Sequence, residues 1–262
     1  METRLTEFSY GYCVTEEFAN GMGPGLKAAP YFPTLYAEGK AGGGFDVRIG
    51  SAVFLQFKLC AELTTRAARE TKLGLLTPPF FRFSLHRRDH SDQHRLLIEL
   101  EKQSGNQVYY IAPGFADVRE LDRLYTSRQV VTQSAMFAPT DLGLLPDNDS
   151  HSVAFKPGDS YGWFSSQPRQ VALHHPAEIV HRASDYHLAE NIKEVEEWLH
   201  HLVDQMVNII NMHKTGVLWD ADESQIQSNR LDVGWLHRAA YLARTHFGCE
   251  LFLPAQPKRV QS

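Results

Sequence analysis

Residues 42–59 read G-G-G-F-D-V-R-I-G-S-A-V-F-L-Q-F-K-L. Phe45, Val47 and Ile49 alternate with Asp46 and Arg48. Val53, Leu55, Phe57 and Leu59 alternate with Phe54, Gln56 and Lys58. Alternation with a period of two is the signature of β-strands, so the stretch is expected to fold as a hairpin turning at Ser51. In that register Asp46 stands directly opposite Gln56, with Cβ atoms about 4.5–5.5 Å apart. Lys58 lies two residues further along the same face. An acid, an amide and an amine then share one side of a strand pair. A slip of one residue would undo the grouping, because it sends every side chain to the other face.

Before this stretch, residues 3–20 read as a helix. Glu7, Gly11, Val14 and Phe18 fall on one stripe, and Gly11 there permits close approach to a sheet. The glycine-rich run 21–25 stops the helix, and a connector with Pro and Gly fills 29–44. After the hairpin, F-F-R-F-S-L-H (80–86) suggests a third strand. Ser91 or Asp92 is placed to cap a helix over 93–103, with Leu96, Leu97 and Leu100 on its apolar face. Q-V-Y-Y-I-A-P (107–113) reads as a buried strand, 116–125 as a helix, and 130–138, 151–156 and 161–165 as strands. From about Pro176 the character changes. A long amphipathic helix is expected over 186–211 and another over 224–246, followed by the short apolar piece C-E-L-F-L at 249–253. The expected class is α/β, a core over 1–175 with a helical C-terminal region over 176–262.

The chain has 262 residues, 43% hydrophobic and 11% aromatic, enough for a packed core. Its formal net charge of -5 argues against a general basic coat for nucleic acid. A local basic groove remains open, since the distribution of charge matters more than its sum. Cys13, Cys60 and Cys249 are widely spaced, with no C-x-x-C, so neither a disulfide framework nor a zinc site is expected. The start M-E-T-R-L-T-E-F lacks an apolar signal core, and no long apolar run is present. A cytoplasmic protein without a membrane span is the expectation.

Phosphodiester hydrolysis needs a cation to lower the pKa of water and to offset charge developing on phosphorus. Magnesium prefers oxygen ligands, and a nearby ammonium stabilises the transition state. Asp46, Gln56 and Lys58 supply these parts, with Mg2+ as the expected metal and Mn2+ as its substitute. A carboxylate from the first helix completes the shell; Glu7 is preferred to Glu17, with Glu38 in the connector a weaker choice. Gln56 reads equally as a metal-shell ligand or as a cross-strand hydrogen-bond partner. Asp46 and Lys58 also have bland readings, as a solvated edge acid and a snorkelling lysine. The basic cluster of His86, Arg87, Arg88, His90, His94 and Arg95 reads as a set of phosphate contacts, with Arg87, Arg88 and His94 foremost, or as a solvated loop and helix face. The pairs His174-His175 and His200-His201 point apart on neighbouring residues, and H-E-x-x-H does not occur.

Gly44-Phe45-Asp46 followed by Gln56-Phe57-Lys58 resembles the PD-(D/E)XK nuclease superfamily, in the Asp…Gln-x-Lys variant of Mrr-type restriction endonucleases. The order helix, three strands, helix, strand over residues 3–112 is similar to the superfamily core. Gln56 departs from the commoner pattern, which has an acid there; an amide is the poorer ligand for a hard cation. The resemblance implies a restriction-endonuclease-like mixed sheet flanked by helices, DNA in preference to RNA as substrate, and a role in bacterial restriction or antiviral defence. It covers the first half of the chain. The C-terminal helices are left for target selection or homodimer contacts. The other reading is a catalytically inactive nuclease fold that serves as a nucleic-acid-binding or assembly subunit.

Overall fold

The computed structural model describes residues 5–20, 47–49, 52–103, 105–176, 178–179, 192–213, 234–253 and 255–257. In chain order the elements are α1 (Glu7–Asn20), β1 (Val47–Ile49), β2 (Ala52–Phe57), β3 (Ala61–Leu63), α2 (Arg69–Lys72) and β4 (Phe80–Ser84). There follow α3 (Gln93–Glu101), β5 (Asn106–Pro113), α4 (Val118–Thr126), β6 (Ser134–Phe137), α5 (Pro139–Leu142), β7 (Ser152–Phe155), β8 (Tyr161–Phe164) and β9 (Arg169–Ala172). The last are α6 (Ile192–His213), α7 (Gly234–Leu242), a π-helical turn (Ala243–Phe247), β10 (Glu250–Phe252) and β11 (Ala255–Pro257). The class is mixed α/β, with sheets flanked by helices.

The strand that ends before Lys58 is central. β2 pairs parallel with β5 on one side and antiparallel with β10 on the other, and β6 completes a four-stranded sheet in the order β10-β2-β5-β6. A strand buried on both faces reads as a continuous apolar run, and Ala52, Val53, Phe54 and Leu55 are all fully buried. Ala52 and Phe54 face a core with Leu96, Leu97 and Leu100 of α3 and Val108 and Tyr110 of β5. Val53 and Leu55 face a second core with Tyr10, Val14 and Phe18 of α1 and Leu121 and Leu124 of α4. As expected of Gly11, α1 comes close to the sheet there: a Cβ at that position would lie 3.0 Å from the Phe57 ring.

The hairpin expectation is corrected. β1 pairs antiparallel with β11, not with β2. Gln56 therefore stands in register with Tyr110 of β5, while Asp46, its expected cross-strand neighbour, lies outside the described residues, as does Glu38. The physical reason is burial: a two-stranded ribbon exposes one face of its strands, whereas β2 is apolar on both and needs two neighbours and two covering layers.

A second sheet, β3-β4-β7-β8-β9, is an antiparallel meander. It shares a core with the first through Phe83, Phe137 and Phe155, whose ring centroids lie 5.7–5.8 Å apart. Its packing is close at Gly162, where a Cβ would sit 2.8 Å from the Phe137 ring and 3.0 Å from the Ala154 carbonyl oxygen. Gly162→Ala is expected to destabilise the protein by about 1–3 kcal/mol through this overpacking. A urea titration that leaves the midpoint unchanged would refute the contact.

The C-terminal helices spend their apolar faces inside the molecule. Leu202, Met206, Ile209 and Ile210 of α6, with Ala239 and Leu242 of α7, join the core beneath α3. The stripe on α6 read as a dimer face is thus covered by the chain itself. The region is not wholly helical either, since β10 enters the four-stranded sheet. Cys13, Cys60 and Cys249 are free and buried. Among the described residues no helix is long and apolar enough to cross a membrane.

Candidate functional site

Five segments converge beyond the end of β2. Lys58 follows the strand directly and keeps it in register, its backbone N–H donating to the Ile111 carbonyl at 2.9 Å. Its side chain lies on the same face as Gln56, and its Nζ sits 5.5 Å from the centroid of the Tyr110 ring. Both residues are almost wholly buried, at 4% exposure for Gln56 and 7% for Lys58. Burial lowers the Lys58 pKa to about 8, and the Glu7 charge opposes that fall. Glu7, at the exposed start of α1, therefore acts on Lys58 through its field. His86, just past β4, is held below the usual imidazole range first by the Lys58 charge and then by burial, again with Glu7 opposing.

The Gln56 amide is half satisfied. Its Nε2 donates to the Phe57 carbonyl at 3.4 Å, while its Oε1 is buried without a hydrogen-bond partner. An orphaned buried acceptor costs about 1–3 kcal/mol, and an oxygen acceptor of that kind suits a hard cation or a water bound to one. The cross-strand hydrogen bond that the sequence offered as the other role for Gln56 is not formed with Tyr110.

Tyr110 turns instead to His94. Its hydroxyl donates to His94 Nδ1 at 2.7 Å, and the two rings stack at 5.8 Å with an interplanar angle of 22°. His94 Nε2 donates to the Gly143 carbonyl at 2.7 Å, just past α5. A carbonyl only accepts, so Nε2 carries the hydrogen and Nδ1 the lone pair. Burial and the Lys58 charge lower the His94 pKa, against the pull of the Gly143 carbonyl, and burial drives the Tyr110 phenol far up. Both groups stay neutral, a rigid wall beside the ammonium.

This corrects the reading of His94 as a surface phosphate contact: it is 4% exposed and bonded at both nitrogens. Arg87 and Arg88 are exposed but locally engaged. Arg87 forks onto Asp89 at 3.1 and 2.8 Å, and Arg88 donates to Asn148 at 3.1 Å. Glu17 belongs to another place altogether. Its two carboxylate oxygens accept from the backbone N–H groups of Val130 and Val131, each at 2.8 Å, on the α1 side of the sheet. Burial pushes its pKa up against the pull of those two amides. Of the two candidate acids on α1, only Glu7 interacts with Lys58.

Tyr110 is the member that sequence reasoning missed, and His86, read only as part of the basic cluster, was not linked to Lys58. A signal for His94 was present, since it precedes Leu97 and Ile98 by three and four residues and so shares their buried face. Among the described residues there is no group of three metal-ligating side chains. No protein-family model matches the chain, and searches of curated proteins and of solved structures returned no match.

Proposed function

We propose that the chain is a metal-dependent nuclease of the PD-(D/E)XK type that cleaves DNA. The observation that carries this reading is the Gln56-x-Lys58 pair, buried on one face of a central strand, with the amide oxygen unpartnered and the ammonium desolvated. A folding sequence has no structural use for such a pair, since a buried lysine costs stability. The resemblance at Gly44-Phe45-Asp46 and Gln56-Phe57-Lys58 supplies the chemistry that makes the cost useful.

The donors that would hold Mg2+ or Mn2+ are Asp46, Gln56 Oε1 and Glu7. The cation, when bound, activates water and neutralises charge on the phosphate. The remaining work belongs to side chains. Lys58 donates to the phosphate oxygen on which negative charge develops. The neutral Tyr110–His94 wall fixes the ammonium's direction without competing for the anion. Glu7 keeps Lys58 protonated against its burial. Arg87 and Arg88, once released from Asp89 and Asn148, meet the flanking phosphates. Restriction or antiviral defence in the cytoplasm is the setting that fits such an enzyme.

The test is cleavage of plasmid and single-stranded DNA in Mg2+ and Mn2+ by wild type, Asp46→Ala and Gln56→Leu. Both variants are expected to lose activity, by at least about 10²-fold for Asp46→Ala. Cleavage that survives both would end the proposal. An amide in place of the second acid favours the other reading, a nucleic-acid-binding or assembly subunit. Retention of DNA by wild type on a filter, with no cleavage in either metal, would select it.

A further inference from the structure

Away from the Lys58 cluster, the second sheet carries a cavity of ≈ 270 Å³. Two guanidiniums, Arg69 and Arg82, and the side chains of Glu70, His151, Ser165 and Ser166 line it, with three further serines. Glu70 is fully buried and spoken for. It pairs with Arg82 at 3.3 Å and accepts from the Ser165 hydroxyl at 2.7 Å. That leaves one positive charge, Arg69, and it is anchored: its Nη2 donates to the backbone carbonyl of Ser166 at 3.2 Å.

Ser166 and His151 form the other half of the cavity. The Ser166 hydroxyl lies 2.6 Å from His151 Nδ1. On the far side of the ring, His151 Nε2 lies 3.1 Å from the Asp147 carboxylate and 3.4 Å from the Asp147 carbonyl. Both of those oxygens only accept, so Nε2 carries the hydrogen and Nδ1 offers its lone pair to the serine. The imidazole is 1% exposed, and it stacks on Phe164 at 5.6 Å and 12°, which fixes its plane. A hydroxyl, a base in contact with it, and an acid that orients the base are the parts of an activated nucleophile. Sequence gave no hint of it, because no local motif surrounds Ser166.

We propose that Ser166, His151 and Asp147 form an acyl-transfer site, opening on the Arg69 cavity, for a small ester that carries one negative charge. Ser166 Oγ attacks the ester carbonyl while its proton passes to His151 Nδ1. The tetrahedral oxyanion lies toward Arg69. Collapse breaks the ester C–O bond, and the leaving alkoxide takes the proton from His151. Water then attacks the acyl-serine, gives up a proton through His151 and releases the carboxylic acid, restoring Ser166. Asp147 is a positioning residue: it holds the ring in the tautomer that the first step needs.

The test uses the full chain with diisopropyl fluorophosphate, then with 4-nitrophenyl acetate and mono(4-nitrophenyl) succinate. Mass mapping is expected to place one phosphoryl adduct on Ser166. The succinate ester is expected to be cleaved at least about fivefold faster than the acetate in kcat/KM, a preference that Arg69→Gln removes. His151→Gln sits in a buried place and risks the fold. Asp147, whose side chain is about half exposed, provides the safer variant. Asp147→Asn is expected to slow labelling of Ser166 at least about tenfold, with Asp147→Glu restoring most of it. Lys58→Met is expected to label as wild type does, which separates this site from the nuclease reading. No adduct on Ser166, or labelling equal in wild type and Asp147→Asn, would overturn the proposal.

Discussion

Lys58→Met is expected to abolish DNA cleavage and to leave the protein as stable as wild type or more so. The two effects have one cause. The ammonium is buried, and its pKa is lowered to about 8 from an ordinary value of 10.5. The unfolded chain therefore binds its proton more tightly than the folded one. Below pH 8 this lysine costs about 3 kcal/mol of folding stability, and the cost disappears as pH rises from about 8 to 10.5. Methionine fills similar space without a charge, so the variant escapes the cost. The difference in urea midpoint between variant and wild type is expected to be largest at pH 7 and to shrink above pH 8.

Cleavage moves in the opposite sense, with a loss of at least about 10²-fold. Because Lys58 acts as a cation in the proposed chemistry, wild-type cleavage is expected to fall as pH rises past about 8. A rise over the same range would make it a proton acceptor instead. A third readout needs no substrate. The Lys58 charge is the first cause of the lowered His86 pKa, so an NMR titration of His86 in Lys58→Met is expected to return toward the ordinary imidazole value. An unchanged His86 titration, or cleavage intact in the variant, would remove Lys58 from the site.

Glu17→Ala is the second large effect, and it falls on stability alone. The substitution strands the N–H groups of Val130 and Val131 in the core beside α1. Each unsatisfied buried donor costs about 1–3 kcal/mol, so a total of about 3 kcal/mol is expected. Cleavage per folded molecule is expected to stay at the wild-type level. Glu7→Ala is the mirror image. Glu7 is exposed, so its loss strands no buried group and moves the denaturation midpoint only through Lys58. It lowers the Lys58 pKa further, since the Glu7 charge is what raises it. If Glu17→Ala instead keeps its stability and loses cleavage, the assignment of the two acids is reversed.

Much of the architecture was legible from pattern. β5 and α3 carry apolar spacing that fixes both type and extent to within a few residues, and α6 carries spacing that fixes its type and its C-terminal end. The pairing of β2 was not. Alternation drew attention to Val53 and Leu55, while Ala52 and Phe54, on the other face, are equally buried; apolar residues on both faces mark a central strand. Its true neighbour β10 was visible as C-E-L-F-L, but nothing local to either segment records that they meet. The site was half legible for the same reason. Gln56 and Lys58 are two apart on one strand, which periodicity reads directly. Tyr110 joins them through the β2–β5 register, and His94 through helix packing onto that sheet. Both depend on contacts between distant parts of the chain, which carry no sequence signature. The Ser166–His151–Asp147 cluster depends on such contacts still more.

The β2–β10 pairing also orders events in time. On the ribosome β2, β5 and β6 emerge well before Phe252. Until then, the strand leading to Lys58 has an open edge of unpaired N–H and C=O groups on an apolar ribbon, the kind of edge that recruits other chains. The unfinished polypeptide is thus a natural client for chaperones. The four-stranded sheet behind the site closes only when translation has passed its final strand, so a nascent chain does not yet hold the Lys58 cluster in its finished frame.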